Sequence, residues 1–415
     1  MPGRGALEYT YLRPAPSTRP FDLMTDSEAF DIAIIGGGII GSSVAYFLLQ
    51  ASPGLRVCVI EPDPTYEFAS TLRASGGARR LFSCPENIEM SNYSIDFIEH
   101  FDEHMSVHGD AAHVGWRQGG YLFIAPPQWM NILERNAATQ LALGVDVVIL
   151  DRAELSRRYP SMFVDDLGGA VLSPRDGWCD PHGLLQGFRR KARALGACYL
   201  EDRVVGLEAD AHAVTEARLA SGSRVRAESF VNAAGAWAGE IAQMAGMTLP
   251  IHPLRRFEHY FTGHKRAEPL PYVKDFERLA FRPEGAGFSG GLVDSNEPRG
   301  FNFDVDHSYF DNVVWPALAH RFPDVFEGCK CHRTWSGLYE QCELDGNPII
   351  GRWERGLANF HVVAGFSGHG MMHAPAAGRA MAELILTGRF QAIDLARFGY
   401  ARVETNTPYP EQGII

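Results

Sequence analysis

The stretch FDIAIIGGGIIGSSVAYFLLQ, residues 30–50, decides the fold. Asp31 to Ile35 is short, apolar and rich in branched residues, which predicts a strand buried on both faces. Gly36, Gly38 and Gly41 then form G-x-G-x-x-G. The first glycine permits the tight turn, the second lets a pyrophosphate reach the backbone, and the third lets the next helix pack on the strand. Ile39 and Ile40 open that helix, and Val44, Ala45, Leu48 and Leu49 lay one apolar stripe along it. LRVCVIE, residues 55–61, predicts a second strand ending at Glu61, with Pro62 behind it. An acid about 20 residues past the glycines can bind a ribose 2′-hydroxyl and disfavours a 2′-phosphate. Strand, turn, helix and acid together make the motif specific for a dinucleotide. They do not choose between NAD and FAD.

The 415 residues predict two or three domains. A formal charge of −12 with no dense Lys/Arg tract argues against nucleic acid as a partner. The seven cysteines follow no framework spacing, which predicts a reducing compartment, the cytoplasm. Cys329-Lys330-Cys331-His332 lacks a second half, so it reads as two half-buried thiols on a strand rather than as zinc ligands, and no metal is expected. Residues 1–29 lack an apolar core and are expected to be an arm without a secretory signal. The apolar run from Ile32 to Leu49 is broken by glycines and serines, which argues against a transmembrane segment.

Three later stretches choose between the cofactors. ASTLRASGG, residues 69–77, offers small polar residues and backbone to a long ligand. ESFVNAAGAWAGEIA, 228–242, is a strand ending at Ala234-Gly235 before a helix. DGNPIIG, 345–351, precedes FHVVAGFSGHGMM, 360–372, which is again strand, glycine loop and helix. These stretches resemble the FAD-dependent amine and amino-acid oxidoreductases of the D-amino-acid oxidase superfamily, which includes sarcosine oxidase and dimethylglycine dehydrogenase. Within it, SGGARRLFSCPENIEMSNYS, GWCDPHGLLQGFRRKARALGA and GRFQAIDLARF are similar to the FAD-dependent oxidoreductase domain-containing proteins linked to complex I assembly.

The resemblance implies an α/β fold. A discontinuous Rossmann-type FAD-binding domain would comprise residues 30–107, 176–249 and 342–400. A second, α+β substrate domain built on a mainly antiparallel sheet would comprise 108–175 and 250–341, and 401–415 would be a tail. The helix after Asp180 is independently marked by its N-cap, Pro181 and Gly196. FAD is then expected along Gly36, Gly38, Ile39, Ile40, Gly41, Glu61 and Pro62, and along Ser70, Thr71, Ala74, Ser75, Gly76, Gly77 and Arg79. Val204 and Val205 would lie beside the adenine, with Ala234, Gly235 and Trp237 nearby. The second loop, Gly365, Gly368, His369, Gly370, Met371 and Met372, would reach the isoalloxazine edge. Helix-start N–H groups there suit the negative charge of a reduced flavin.

The reaction implied is removal of hydride from a carbon beside nitrogen, giving an imine that water hydrolyses. Several positions depart from the family. The covalent attachment residues of its members are absent: Gly337 stands where one type has cysteine, Arg73 where another has histidine. FAD is therefore expected to be non-covalent. FSGGLV, 288–293, lacks the lysine that activates oxygen, which leans toward a dehydrogenase with a separate electron acceptor or partner protein. Met372 replaces a carboxylate-binding lysine, and Tyr339 a carboxylate-binding arginine. Arg79, Arg80, Arg256 and Arg282 are the remaining carboxylate candidates. Glu340 is either an attractor for a cationic amine or a turn residue. His369 either bonds the flavin or braces its loop, and His259 and Tyr260 cannot both face the pocket. The substrate expected is a small amine or N-alkyl amino acid. A flavoprotein acting in assembly with little turnover, and oxidation at a C–OH carbon, are the competing functions.

Overall fold

The computed structural model describes residues 29–413, so the expected arm lies outside the described residues except for Ala29. Two eight-stranded sheets carry the chain. Phe30–Ile35 lies inside the first, parallel to Val57–Ile60 on one side and Arg224–Asn232 on the other. Cys198–Leu200 and Phe360–Ala364 extend it in parallel, and Ile349–Arg352 closes one edge antiparallel. The hairpin Val204–Ala209 and Val214–Leu219 branches from Arg224–Asn232. This sheet is thus mainly parallel and the fold α/β, as expected.

Parallel neighbours need crossovers, and helices supply them. Helix Ile39–Ala51 has every residue from Ile39 to Leu49 buried. A helix apolar on all sides is one enclosed on all sides, here packed against Pro181–Ala194 and Gly370–Thr387. Ser43 Oγ donates to the Ala374 carbonyl at 2.8 Å, which satisfies a hydroxyl that burial would otherwise penalise. Among the described residues no helix is long and apolar enough to cross a membrane. Helix Pro181–Ala194 begins as its sequence dictates, with the Asp180 carboxylate accepting from the His182 and Gly183 N–H groups at 3.0 Å each.

The second sheet runs Lys330–Cys342, Ile251–Thr262, Gly287–Leu292, Leu279–Glu284, Tyr272–Asp275, Tyr121–Ala125, Gly169–Ser173, Val148–Asp151. All its pairings are antiparallel except Tyr272–Asp275 with Tyr121–Ala125. Register sorts its side chains onto two faces, because directly opposed residues point the same way. His259, Phe261, Phe281, Val273 and Leu122 pack under Phe310, Phe322 and Phe326 of the segment 310–326. Arg256, Glu258, Ser289, Ala280, Tyr272, Lys274, Tyr121 and Phe123 take the other face. That second face roofs the cavity between the sheets.

The segment 401–413 is fastened to the body. Arg402 pairs with Asp345 at 2.9 Å, both buried. The Glu411 carboxylate accepts from the Ser83 and Cys84 N–H groups and from Asn87 Nδ2, at the start of helix Pro85–Glu99. Ser91 and Ser94 of that helix bond His373 and the Ala376 N–H of Gly370–Thr387. All seven cysteines are free. Cys329 and Cys331 are half-buried, and no group of three metal-ligating side chains occurs among the described residues.

Candidate active site

One cavity of about 640 Å³ runs from the first glycine loop to the roof face. That volume lies within the roughly 300–1,000 Å³ of small-molecule sites. Gly36, Gly38, Ile39 and Ile40 line its first end. Gly36 has φ +100°, and a Cβ there would stand 2.5 Å from the Ala233 carbonyl oxygen. A Cβ on Gly38 would meet nothing within 4 Å, so it would occupy the cavity itself. Gly41 stays off the wall. Its helix comes so close to the loop that a Cβ would be 1.9 Å from the Gly36 carbonyl oxygen, which is the packing role expected of the third glycine.

Glu61 accepts from the Gly37 N–H at 2.8 Å and the Asp63 N–H at 3.0 Å, while burial raises its pKa. It lines the cavity with Pro62, Ser70, Thr71, Ala74, Ser75, Val204, Val205, Ala234, Gly235 and Trp237. Gly76 and Gly77 do not. Gly77 instead passes under the roof, where a Cβ would be 2.7 Å from the Tyr272 ring.

At the far end Gly368, Gly370 and Met371 line the wall. Gly368 has φ +99°, and a Cβ there would be 2.5 Å from the Tyr339 ring, so Tyr339 supports the loop from the roof. Several residues of this region stand differently from a simple cavity lining. Glu340 lies in strand Lys330–Cys342, not in a turn. Its Oε2 accepts the Gly365 N–H at 3.0 Å, which fastens strand to loop, and the residue also lines the cavity. Burial pushes it up to about 7. Gly365, used in that bond, is off the wall. Met372 is 6% exposed and points into the core of the first domain, not into the cavity. His369 also turns away. Its Nε2 accepts from Arg79 Nη2 at 3.1 Å, and burial followed by the charge of Arg79 holds its pKa well below the usual value. Arg79, 1% exposed, lies over the Phe82 and Phe123 rings and is likewise off the wall.

Three more candidates are structural. Arg80 pairs with buried Asp176 at 2.9 Å and with Asn92. Arg282 Nε donates to the Ser75 carbonyl at 2.6 Å, and its Nη1 pairs with Glu284, so it positions the 69–77 loop. His259 faces the helical side of the roof sheet. Its Nδ1 is 2.9 Å from Thr334 Oγ1, and burial lowers it to about 4.

The roof face that lines the cavity presents Arg256, Glu258, Tyr272, Ala280, Gly291 and Tyr339. Arg256 lies over the Tyr339 ring, and its Nη1 donates to the Arg255 and Asp294 carbonyls. Its Nε is buried without a partner. Glu258 was missed in the sequence, as were Tyr272 and Lys274. The signal was present: RRFEHY is a strand in which Arg256, Glu258 and Tyr260 share a face. Lys274 extends from the same face, beside Arg79 and Arg278, and burial pushes its pKa well below the usual value.

The residues present fit FAD. The open space at Gly38, two helix N-termini aimed at opposite ends of one cavity, and the acid at Glu61 form a cradle for a ligand with a pyrophosphate and a ring. The two attachment positions meet on its wall. A Cβ on Gly337 would be 2.8 Å from the Arg73 Cβ, and Arg73 Nη1 donates to the Ser336 carbonyl.

Comparison with known proteins agrees with this geometry. Residues 31–384 match the family model DAO, described as FAD dependent oxidoreductase. The chain is 34% identical over 447 residues to FAD-dependent oxidoreductase domain-containing protein 1 of Xenopus laevis, covering 97% of this chain and 88% of that one. It is 28% identical to mitochondrial sarcosine dehydrogenase of Mus musculus, over 89% of this chain but 42% of that longer protein. Among solved structures, L-proline dehydrogenase from P. horikoshii superposes with a TM-score of 0.82 and 27% identity, over 92% of this chain and all of that one.

Proposed function

The chain belongs to the DAO family of FAD-dependent oxidoreductases, and from that membership we propose that it oxidises the C–N bond of an N-alkyl or secondary amino acid. One observation carries the amino-acid part. Arg256 lines the cavity, has no carboxylate partner among the described residues, and keeps a buried Nε unbonded. A guanidinium on a cavity wall with no carboxylate of its own is matched to a ligand carboxylate, because charge-assisted hydrogen bonds are the strong ones.

Bound FAD supplies the two-electron oxidation of the carbon beside nitrogen, and the resulting imine hydrolyses to amine and carbonyl. The chain's own residues hold and orient. Arg256 takes the carboxylate, Tyr272, Tyr339 and Met371 confine the substrate, and the N–H groups of Gly368 and Gly370 would face the cofactor's ring, the His369 N–H being bonded to the Phe366 carbonyl. The clash of Arg73 with any side chain at 337 supports non-covalent FAD. Acid precipitation that leaves the yellow colour in the supernatant checks this. Seven free thiols support a reducing compartment such as the cytoplasm, testable by fractionating cells that express the chain.

The decisive experiment is anaerobic addition of N-methyl amino acids, cyclic imino acids, D- and L-amino acids and carboxylate-free amines to the FAD-loaded protein. Bleaching of the visible band by N-alkyl or cyclic amino acids supports the reading. Slow return of colour in air would identify a dehydrogenase that needs another acceptor. Failure of every amine to bleach a chemically reducible flavin would favour an assembly role instead.

A further inference from the structure

On strand Ile251–Thr262 the residues Arg255 to Glu258 all line the cavity, and alternate ones share the face of the sheet that roofs it. Arg256 and Glu258 are successive members of that set, opposite Gly337 and Trp335 of the next strand. Residues two apart on a strand are about 6.5 Å apart along it. Next door, Arg255 and Glu297 close on each other at 2.8 Å. Arg256 and Glu258 stay open: among the described residues neither has an ion-pair partner, and both line the cavity. Glu258 receives one hydrogen bond, from Ser289 Oγ to Oε1 at 2.7 Å. A charged couple left open across a cavity wall is complementary to a zwitterion.

We propose that Glu258 receives the ammonium group of the substrate and takes its proton, while Arg256 holds the carboxylate. The proposal rests on the reading of the protein as an amine oxidoreductase. In this step one N–H bond breaks and one O–H bond forms on Glu258. The N–H electron pair stays on nitrogen as a lone pair, and nothing is oxidised. The lone pair is what the next step requires, because a C–H hydrogen leaves as hydride only when nitrogen can share a pair with that carbon. An alkylammonium ion has a pKa of about 10, so the substrate arrives protonated at neutral pH.

An exposed carboxylate is a poor acceptor for such a proton. Burial lifts Glu258 to about 7, which narrows the mismatch. The groups facing it are Ser289, Arg282, Tyr272, Tyr339 and Trp335, from the four strands around it. Arg282 is the cation among them, and it is drawn toward Glu284 and the Ser75 carbonyl. The substrate class is therefore an amino acid whose nitrogen carries a removable proton. A quaternary ammonium acid would bind without being oxidised.

The test uses the FAD-loaded full chain and calorimetric titration of methoxyacetate, which has the shape of sarcosine with an ether oxygen in place of the ammonium. Wild type should bind it about tenfold tighter near pH 6 than near pH 8, because ionised Glu258 repels an anion. Glu258→Gln should remove that pH dependence. Arg256→Met should weaken binding about tenfold at either pH. Ser289→Ala, which deletes a bond to the ionised carboxylate, should move the midpoint upward and serves if Glu258→Gln loses its flavin. A pH dependence untouched in Glu258→Gln, or a midpoint unmoved in Ser289→Ala, overturns the assignment. The two levels fail differently. Reduction by an amino acid with a pH profile indifferent to Glu258→Gln sinks Glu258 alone. No reduction by any amine sinks the underlying reading, and Glu258 with it.

Discussion

The nucleotide end of the cavity and its roof are built by opposite means. The nucleotide end is main chain: Gly36, Gly38 and a helix start, with Glu61 bonded to two backbone N–H groups. The roof is side chain, and Arg256, Glu258 and Lys274 stand on it without ion-pair partners among the described residues. Backbone recognition suits a ligand that stays the same, since no single side chain decides it. Open charges suit a ligand defined by its own charges. The difference teaches where specificity for a substrate can be altered without disturbing the cofactor.

That contrast can be broken by two glycines. Gly36→Val forces a branched residue to φ +100° and 2.5 Å from a carbonyl oxygen, and should cost more than about 3 kcal/mol, visible as insoluble or molten protein. Gly38→Val meets open space, so the chain should fold with an ordinary melting temperature and purify colourless. A yellow Gly38→Val protein would mean the cofactor lies elsewhere.

Two arginines sharpen it. Arg80→Met strands buried Asp176 and should lower stability by roughly 3–5 kcal/mol in urea titration, without changing which substrates are taken. Arg256→Met removes no ion pair and should shift stability by less than about 1 kcal/mol, while substrate KM rises. The reverse pattern would exchange their roles.

A last effect is expected in acid. Burial holds His259 at about 4, so it is neutral when folded, and the unfolded chain binds the extra proton below its usual value. Stability should therefore fall as pH drops from about 6.5 to about 4, by on the order of 1–3 kcal/mol from this group. His361 and His373 are depressed in the same direction. His259→Asn should lose less across that window in melting scans, with the pH dependence of ligand binding unchanged.

The sequence disclosed what local rules decide. Gly36 to Gly41, Asp180-Pro181 and the second glycine loop each carry their own turn and cap chemistry, so they could be placed with no knowledge of the rest. The roof could not. His259 and Glu258 are neighbours, and which one faces the cavity depends on which side of the sheet the Phe310–Phe326 region covers. Arg79 and Arg80 are also neighbours, yet one reaches His369 and the other Asp176, partners far apart in the chain. Glu340 read as either an attractor for a cationic amine or a turn residue. Its burial comes from a loop that folds over it, which no periodicity in its own strand reveals.

Strand Phe30–Ile35, which delivers the first glycine loop, is flanked by Arg224–Asn232, and that strand in turn by Phe360–Ala364. Glu411, near the end of the described chain, closes the helix that braces the second loop. On the ribosome, then, the earliest segment of the binding cradle waits for the latest. Pairings so distant in sequence form slowly and late. A cradle built from both early and late segments is complete only when nearly all of the described chain has been made.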